Sequence, residues 1–298
     1  MDAEIVYQSH AVDQFFPLNF SITANRLATL KVGTNRDNPA LNAVGVFSRK
    51  LEEVKVSDLT KALRSPLFTG IANPHFFPEG GPVRLLSIRE KGANEISKWV
   101  TDDAPNPPAF LKVEAEALAL VNLLRQYPIY AISMKLSPMP DQIERGKPLE
   151  FSMTIIGSGS EMVQLPHPDN WLRQAVQLQL IGFRSDMPLE KLEEYHQKFE
   201  DLSEKKPLKI QGMNVTKPLI ALSTNSQVVF TFRSNLDWPP GQYDSQLSLI
   251  TPLFDKQGLE QITCELMSKP FPIKVFGKSK PGDEPEELEE EEPEQGED

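Results

Sequence analysis

The sequence contains a single cysteine, Cys264, so the chain cannot close an internal disulfide. Cys264 lies in a strand-like run and is interpreted as a buried structural thiol. No apolar run approaches the roughly 18–20 residues that a membrane-spanning helix requires. The N-terminus has neither a basic segment nor a long apolar segment, so it shows no signal peptide. These absences exclude a disulfide scaffold and a helical membrane protein, and they favour a soluble, cytoplasmic protein.

Motifs for catalysis and cofactor binding are also missing from the sequence. The four histidines, at positions 10, 75, 167 and 196, form no HExxH or HxH pair, and there is no Cys-x-x-Cys. Gly157–Ser160 follows a strand-like segment but leads into another strand pattern, which predicts a hairpin turn instead of a phosphate-binding loop. The sequence therefore predicts no metal site, no cofactor and no catalytic residue.

The net charge of −11 is confined to the C-terminus. Of the 42 acidic residues, eleven lie in residues 281–298, which hold no basic residue, and the remaining 31 equal the 31 Lys and Arg residues. Such a run of like charge predicts a disordered acidic tail, assigned here to residues 277–298. Because the rest of the chain is formally neutral, it lacks the positive charge on which nucleic-acid binding depends.

The first half of the sequence alternates between strand and helix patterns. Apolar residues recur at helical spacing after Pro107 and Pro108, which predicts a helix over 110–126. A shorter helix is predicted to begin at its N-cap, Ser57, and to stop at Pro66. The predicted strands are 20–22, 27–32, 43–49, 83–90 and 95–100. Residues 1–128 are therefore predicted to form an α+β domain, with antiparallel strands and helices on one face.

The second half consists of short strand patterns separated by turn signals. The predicted strands are 129–136, 149–156, 162–165, 176–183, 208–211, 228–233, 243–249, 262–266 and 272–276. One helix is predicted over 188–202, from the apolar spacing of Leu192, Tyr195, Phe199 and Leu202. Many short strands at this spacing predict a β-sandwich over residues 129–276, with this helix inserted between strands.

Two segments near the end of this half flank an alternating strand pattern. They are Trp238-Pro239-Pro240-Gly241-Gln242-Tyr243 and Ser268-Lys269-Pro270-Phe271-Pro272-Ile273-Lys274-Val275. The first resembles the "PGxY" turn that opens the penultimate strand of many bacterial immunoglobulin-like domains, and the second resembles the closing strand of those domains. The resemblance covers about residues 129–276, and it implies an immunoglobulin-like sandwich. The N-terminal half resembles no known family.

Aromatic and histidine residues in loops are the candidates for contact with a partner. Phe76 and Phe77 are adjacent in a loop rich in proline and glycine, where one ring can fill the core while the other meets a partner. His167 and Trp171 share the loop LPHPDNW. The alternative for both aromatic sites is burial in the core, which large apolar side chains generally favour.

Two classes of function remain open from the sequence. The first is a non-enzymatic interaction or structural protein, which binds a protein partner through the edge or the loops of its sandwich. The second is a hydrolase built from carboxylates with His167 or His75. A concave pocket with convergent titratable groups would favour the enzyme. The sequence leaves the identity of the partner and the oligomeric state open.

Overall fold

A computed structural model of the chain describes residues 3–10, 18–36, 43–74, 83–101, 105–186, 197–212, 215 and 217–280. Strands predominate among them, and the helices are α1 (Glu53–Leu63), α2 (Pro66–Thr69) and α3 (Pro108–Leu124). The strands are β1 (Ala3–His10), β2 (Leu18–Ile22), β3 (Leu27–Val32), β4 (Ala43–Lys50), β5 (Val83–Glu90), β6 (Ile96–Thr101), β7 (Pro128–Leu136), β8 (Gln142–Glu144), β9 (Pro148–Gly157), β10 (Val163–Pro166), β11 (Gln177–Arg184), β12 (Gln197–Asp201), β13 (Lys209–Gly212), β14 (Leu219–Leu222), β15 (Gln227–Asn235), β16 (Gly241–Phe254), β17 (Glu260–Met267) and β18 (Phe271–Phe276).

The strands form two sheets, here called sheet A and sheet B. Sheet A has ten strands in the order β13-β15-β9-β7-β4-β3-β2-β1-β5-β6. Sheet B has eight strands and contains the row β12-β11-β16-β10-β14, with β17 and β18 paired to β16 and β8 paired to β18. All pairs are antiparallel except β8 with β18.

The three helices pack on the N-terminal strands of sheet A. Tyr7 on β1 donates a hydrogen bond from its hydroxyl to Glu114 Oε1 on α3, at 2.8 Å. Arg84 on β5 forms an ion pair with Glu114 Oε2 at 2.7 Å. Because Glu114 is buried, these two partners compensate the cost of removing its charge from water.

Several elements of the first half have the predicted bounds. The strands at 27–32 and 83–90 occur as predicted, and α3 matches the predicted 110–126 helix to within two residues at each end. The prediction for α1 was wrong at its start. The helix begins at Glu53 with Glu52 as its N-cap, so Ser57 lies inside it. β1 was not predicted, although Ile5 and Tyr7 alternate on its buried face.

Sheet A runs without interruption through the proposed boundary at residue 128. β7 pairs with β4, with Val44 opposite Ile132 and Gly45 opposite Ala131. Gly45 has φ +130°, and a Cβ on it would lie 2.1 Å from the carbonyl oxygen of Tyr130. Only glycine permits this close approach of the two strands. The two halves of the chain are therefore hydrogen-bonded into one sheet.

The second half is built mostly of strands from both sheets, which is consistent with the predicted β-sandwich. Along β9 the side chains of Leu149, Phe151, Met153 and Ile155 are buried, as the alternating pattern indicates. Phe151 stacks on Phe232 of the neighbouring strand β15, with ring centroids 5.7 Å apart. Cys264 is buried, and burial raises the pKa of its thiol, in agreement with a structural thiol.

The helix predicted over 188–202 is wrong where the structure describes it. Residues 197–201 form strand β12, in which Phe199 lies opposite Ile181 of β11. Leu202 is buried, and its backbone N–H donates to the carbonyl of Leu178. Strand pairing and burial against sheet B thus override the helical spacing of the apolar residues. Residues 187–196 lie outside the described residues.

The acidic tail assigned to residues 277–298 is described only as far as Lys280, so the prediction for residues 281–298 is untested. Lys280 pairs with Asp237, at 2.8 Å. None of the helices in the described ranges has the length and apolar character needed to cross a membrane.

Candidate interaction surface

His167 lies in the loop between β10 and β11, where it is buried. Its Nδ1 accepts a hydrogen bond from the backbone N–H of Asp169 at 3.2 Å, which caps a short 3₁₀ turn. Burial lowers the pKa of the imidazole, the Asp169 carboxylate opposes this shift, and Lys217 adds to it. The lowered pKa favours the neutral ring, whose Nδ1 serves as a local structural acceptor.

Trp171 is also part of the core, with 3% of its surface exposed. Its ring centroid is 5.9 Å from that of Phe230 and 5.9 Å from that of Phe232. Its indole N–H donates to the carbonyl of Pro166 at 3.2 Å. His167 and Trp171 thus lie beneath the surface, where they can shape the loop but have little area for direct contact with a partner.

Phe76, Phe77 and His75 lie outside the described residues, so their predicted roles stay predictions. Within the described ranges, no group of three or more His, Cys, Asp or Glu side chains could hold a metal ion. A groove of about 440 Å³ lies between the end of β7 and the β17–β18 connection, and it contains no histidine or carboxylate among its lining residues. The edge strands of the two sheets are the other candidate surface, because an edge strand can pair with a strand of a partner.

The outer edge of β17 is covered by residues from the end of β3 and the loop after it. The N–H of Glu265 donates to the carbonyl of Gly33 at 2.7 Å. The Asn35 amide bonds both backbone groups of Met267, at 2.6 and 3.0 Å. Lys31 Nζ reaches the carbonyl of Gln261. These contacts occupy the backbone groups that a foreign strand would otherwise pair with.

Other edges are capped or short. At the β6 edge of sheet A, the Asn73 amide donates to the carbonyl of Ser97 at 3.1 Å and accepts from the N–H of Trp99 at 3.3 Å. At β14, Val215 forms an isolated antiparallel bridge with Ile220. β13 is only four residues long and carries Lys209. The Asn73 cap occupies backbone groups of β6 with which an added strand would otherwise pair.

β12 is the terminal strand of sheet B, and in the described residues only β11 pairs with it. The N–H of Leu202 donates to Leu178 on the β11 side. Because the backbone groups of successive residues alternate in direction, Phe199 and Asp201 direct their N–H and C=O groups away from β11. We call strand β12 (Gln197–Asp201), with the outward backbone groups of Phe199 and Asp201, the β12 edge.

Apolar surface accompanies the β12 edge. Phe199 is 54% exposed and lies across from Ile181 on the outer face of sheet B. Phe183, two residues along β11 on the same face, is 44% exposed. These two exposed rings, at an edge with which only β11 pairs in the described part of the chain, provide apolar contact beside the backbone hydrogen bonds open to an incoming strand.

Side-chain contacts on the inner side hold β12 in place. Glu200 pairs with Lys205, and the hydroxyl of Ser234 on β15 donates to Glu200 Oε1. The N–H of Ser203 donates to Asp201 Oδ1 at 2.8 Å, and the N–H of Leu178 donates to Ser203 Oγ at 2.9 Å. The edge is therefore fixed to both sheets, which lowers the entropy cost of presenting it to a partner.

The sequence pattern did not indicate the β12 edge, because Phe199 and Leu202 fit the apolar stripe of a helix. A signal was nevertheless present, since the segment 197–201 alternates between Phe199 and the charged Lys198 and Glu200. Which edges are capped could not be read from the sequence. The caps at Asn35 and Asn73 act on strands far away along the chain.

Comparisons with solved structures give matches to about half of the chain, at low identity and low TM-score. No protein family matches the chain, and no curated protein matches it. A Bordetella pertussis protein described as ApaA matches 50% of this chain and 96% of its own, with 13% identity and a TM-score of 0.28. Spo0M, a sporulation control protein from Bacillus subtilis, matches 49% of each chain, with 16% identity and a TM-score of 0.26. The CARDB domain of a Pyrococcus furiosus protein matches 49% of this chain and 87% of its own, with 11% identity and a TM-score of 0.21.

Proposed function

We propose that this chain is a non-enzymatic interaction protein whose β12 edge binds an extended segment of a protein partner. The observation that carries the proposal is the β12 edge beside exposed Phe199, which pairs only with β11 in the described residues, whereas side chains cap the β17 and β6 edges. In strand addition, main-chain hydrogen bonds supply affinity and pockets for alternate side chains supply specificity.

The proposal includes an immunoglobulin-like topology for residues 129–276. The order β7-β9-β15-β13 in sheet A corresponds to the A-B-E-D order of that fold, and β12-β11-β16-β18 corresponds to the facing C′-C-F-G sheet. β8 runs parallel to the last strand. Tyr243, near the start of β16, donates from its hydroxyl to the carbonyl of Pro239 at 2.8 Å. This contact supports a tyrosine corner, which marks the fold at this position.

We further propose that residues 1–128 and 129–276 are two domains that share sheet A. Helices α1 to α3 lie between strands of the first part, whereas sheet B is built from strands of the second part. The β4–β7 pairing holds the two parts together. In this arrangement the N-terminal part extends sheet A, whereas the β12 edge belongs to sheet B.

The alternative of a hydrolase gains no support from the described residues. His167 is the histidine for which a full environment is described, and its Nδ1 is already engaged by the Asp169 N–H. Asp169 is itself paired with Lys217, and this hydrogen bond lowers the pKa of its carboxyl. A general base needs a proton of the substrate within hydrogen-bond reach. The groove between the end of β7 and the β17–β18 connection is not lined by His167.

Photo-crosslinking from two positions tests the proposal. The photoreactive residue p-benzoylphenylalanine is placed at Phe199 in one variant and at Leu259 in a matched control, which is 63% exposed in the β16–β17 turn. In host cells, we expect discrete protein adducts from position 199 at several times the yield from position 259, because a bound strand lies against β12. Equal yields from both positions would contradict the proposed site.

A further inference from the structure

The charge pattern of the β12 edge is complementary to itself. The strand reads Gln197-Lys198-Phe199-Glu200-Asp201, with opposite charges on either side of Phe199. When two copies of this strand run antiparallel about a two-fold axis at Phe199, Lys198 of each copy lies opposite Glu200 of the other. The axis generates this pair twice, and opposite charges in directly facing positions stabilise a strand pair.

We infer that the segment bound at the β12 edge is β12 of a second copy of this chain, so that two sheets B join into one continuous sheet. This inference rests on the proposed function, and it names the partner of the same surface. An isologous contact of this kind closes after two subunits, because each copy contributes the same edge.

The direction of the backbone groups fits this arrangement. Phe199 directs both its N–H and its C=O away from β11, as deduced from the Leu202 N–H to Leu178 hydrogen bond. A residue with this orientation at the axis exchanges two hydrogen bonds with its own symmetry mate. The pair of rings then meets beside Phe183 of each copy, which removes exposed apolar surface from water.

Three other two-fold registers are disfavoured by charge. An axis at Lys198 places two lysines directly opposite each other, an axis at Glu200 places two glutamates opposite, and an axis at Asp201 places two aspartates opposite. Like charges in facing positions destabilise a strand pair. The sequence of β12 thus selects the Phe199-centred register among these four, which is how charge specifies register in paired strands.

A charge-exchange experiment on the full 298-residue chain tests the inference. The dimer dissociation constant is measured by analytical ultracentrifugation, from low micromolar to millimolar protein, for the wild type, Lys198→Glu and Glu200→Lys. Each variant alone makes both cross-strand pairs repulsive, so we expect each to weaken self-association by at least about tenfold. An equimolar mixture of the two variants restores opposite charges in every pair, and we expect its association to return to within about threefold of the wild type.

A third variant controls for misfolding of the Glu200 variant, because Glu200 also contacts Lys205 and Ser234. Phe199→Pro removes an outward N–H and leaves the hydrogen bonds to β11 in place, so the variant should keep its circular dichroism spectrum and yet be monomeric. A wild-type chain that stays monomeric at all concentrations overturns the inference, as does a dimer that none of these changes weakens. Cross-links from position 199 to a different protein, with a monomeric wild type, would overturn only the inference. Equal cross-linking from positions 199 and 259 would overturn the proposed function itself.

Discussion

Trp171→Ala should lower the free energy of unfolding by about 3–5 kcal/mol. The indole is almost fully buried against Phe230 and Phe232, so its removal leaves a cavity in the hydrophobic core. The change also removes the donor that satisfies the carbonyl of Pro166. Urea denaturation, monitored by circular dichroism, measures the effect.

The adjacent residue provides a matched control for this prediction. Leu172 is 69% exposed in the same loop, and Leu172→Ala should change the stability by less than about 0.5 kcal/mol. The comparison also distinguishes the two roles that the sequence leaves open for Trp171, burial in the core and contact with a partner. If Trp171→Ala left stability unchanged and abolished cross-linking from position 199, Trp171 would be a partner-binding residue and not a core residue.

Gly45→Ala should cost at least about 3 kcal/mol, because two penalties act together at this position. The backbone of Gly45 has φ +130°, which is unfavourable for any residue with a side chain. The added Cβ would also lie 2.1 Å from the Tyr130 carbonyl oxygen and 2.8 Å from Ala131 Cα. Both neighbours are main-chain atoms of β7, so the β4–β7 joint has to open to accommodate the methyl group.

Gly92→Ala separates the steric penalty from the conformational one. Gly92 also has a positive φ, +81°, but nothing lies within 4 Å of a Cβ built there. We expect this control to cost only about 1 kcal/mol. Trp99 lies in the N-terminal half and Trp238 in the C-terminal half. In versions of the chain that keep only one of these tryptophans, its fluorescence measures the unfolding of that half alone. If Gly45→Ala destabilises only one half, the two halves are not coupled through sheet A.

Much of the second half could be predicted because its strands carry their own signal. On β9, alternation between apolar and polar residues marks the face that is buried, and the structure buries Phe151 and Met153 on that face. The same logic failed at β12, where Phe199 and Leu202 are three residues apart and fit a helix as well as a strand. Short segments of this kind are decided by the partner strand, which the local sequence does not reveal.

The candidate site depends on facts that only the tertiary structure supplies. The sequence suggested His167 and Trp171 because they share a loop, but the packing of that loop against β14 and β15 buries both side chains. Conversely, the exposure of Phe199 follows from the position of β12 at the end of sheet B. The proline-rich turn ending in Tyr243 could be recognised in advance, because its residues are contiguous.

Amide hydrogen exchange along β12 tests strand addition at this edge most directly. Exchange is measured by NMR at residues 198–201, in the dilute chain and in the complex with whichever partner position 199 cross-links, a second copy included. The outward amides of Phe199 and Asp201 should exchange rapidly in the dilute chain and become protected in the complex, because a partner strand then accepts their hydrogen bonds. The inward amides of Lys198 and Glu200 should be protected in both states. Unchanged exchange at Phe199 and Asp201 in a saturated complex would contradict the account.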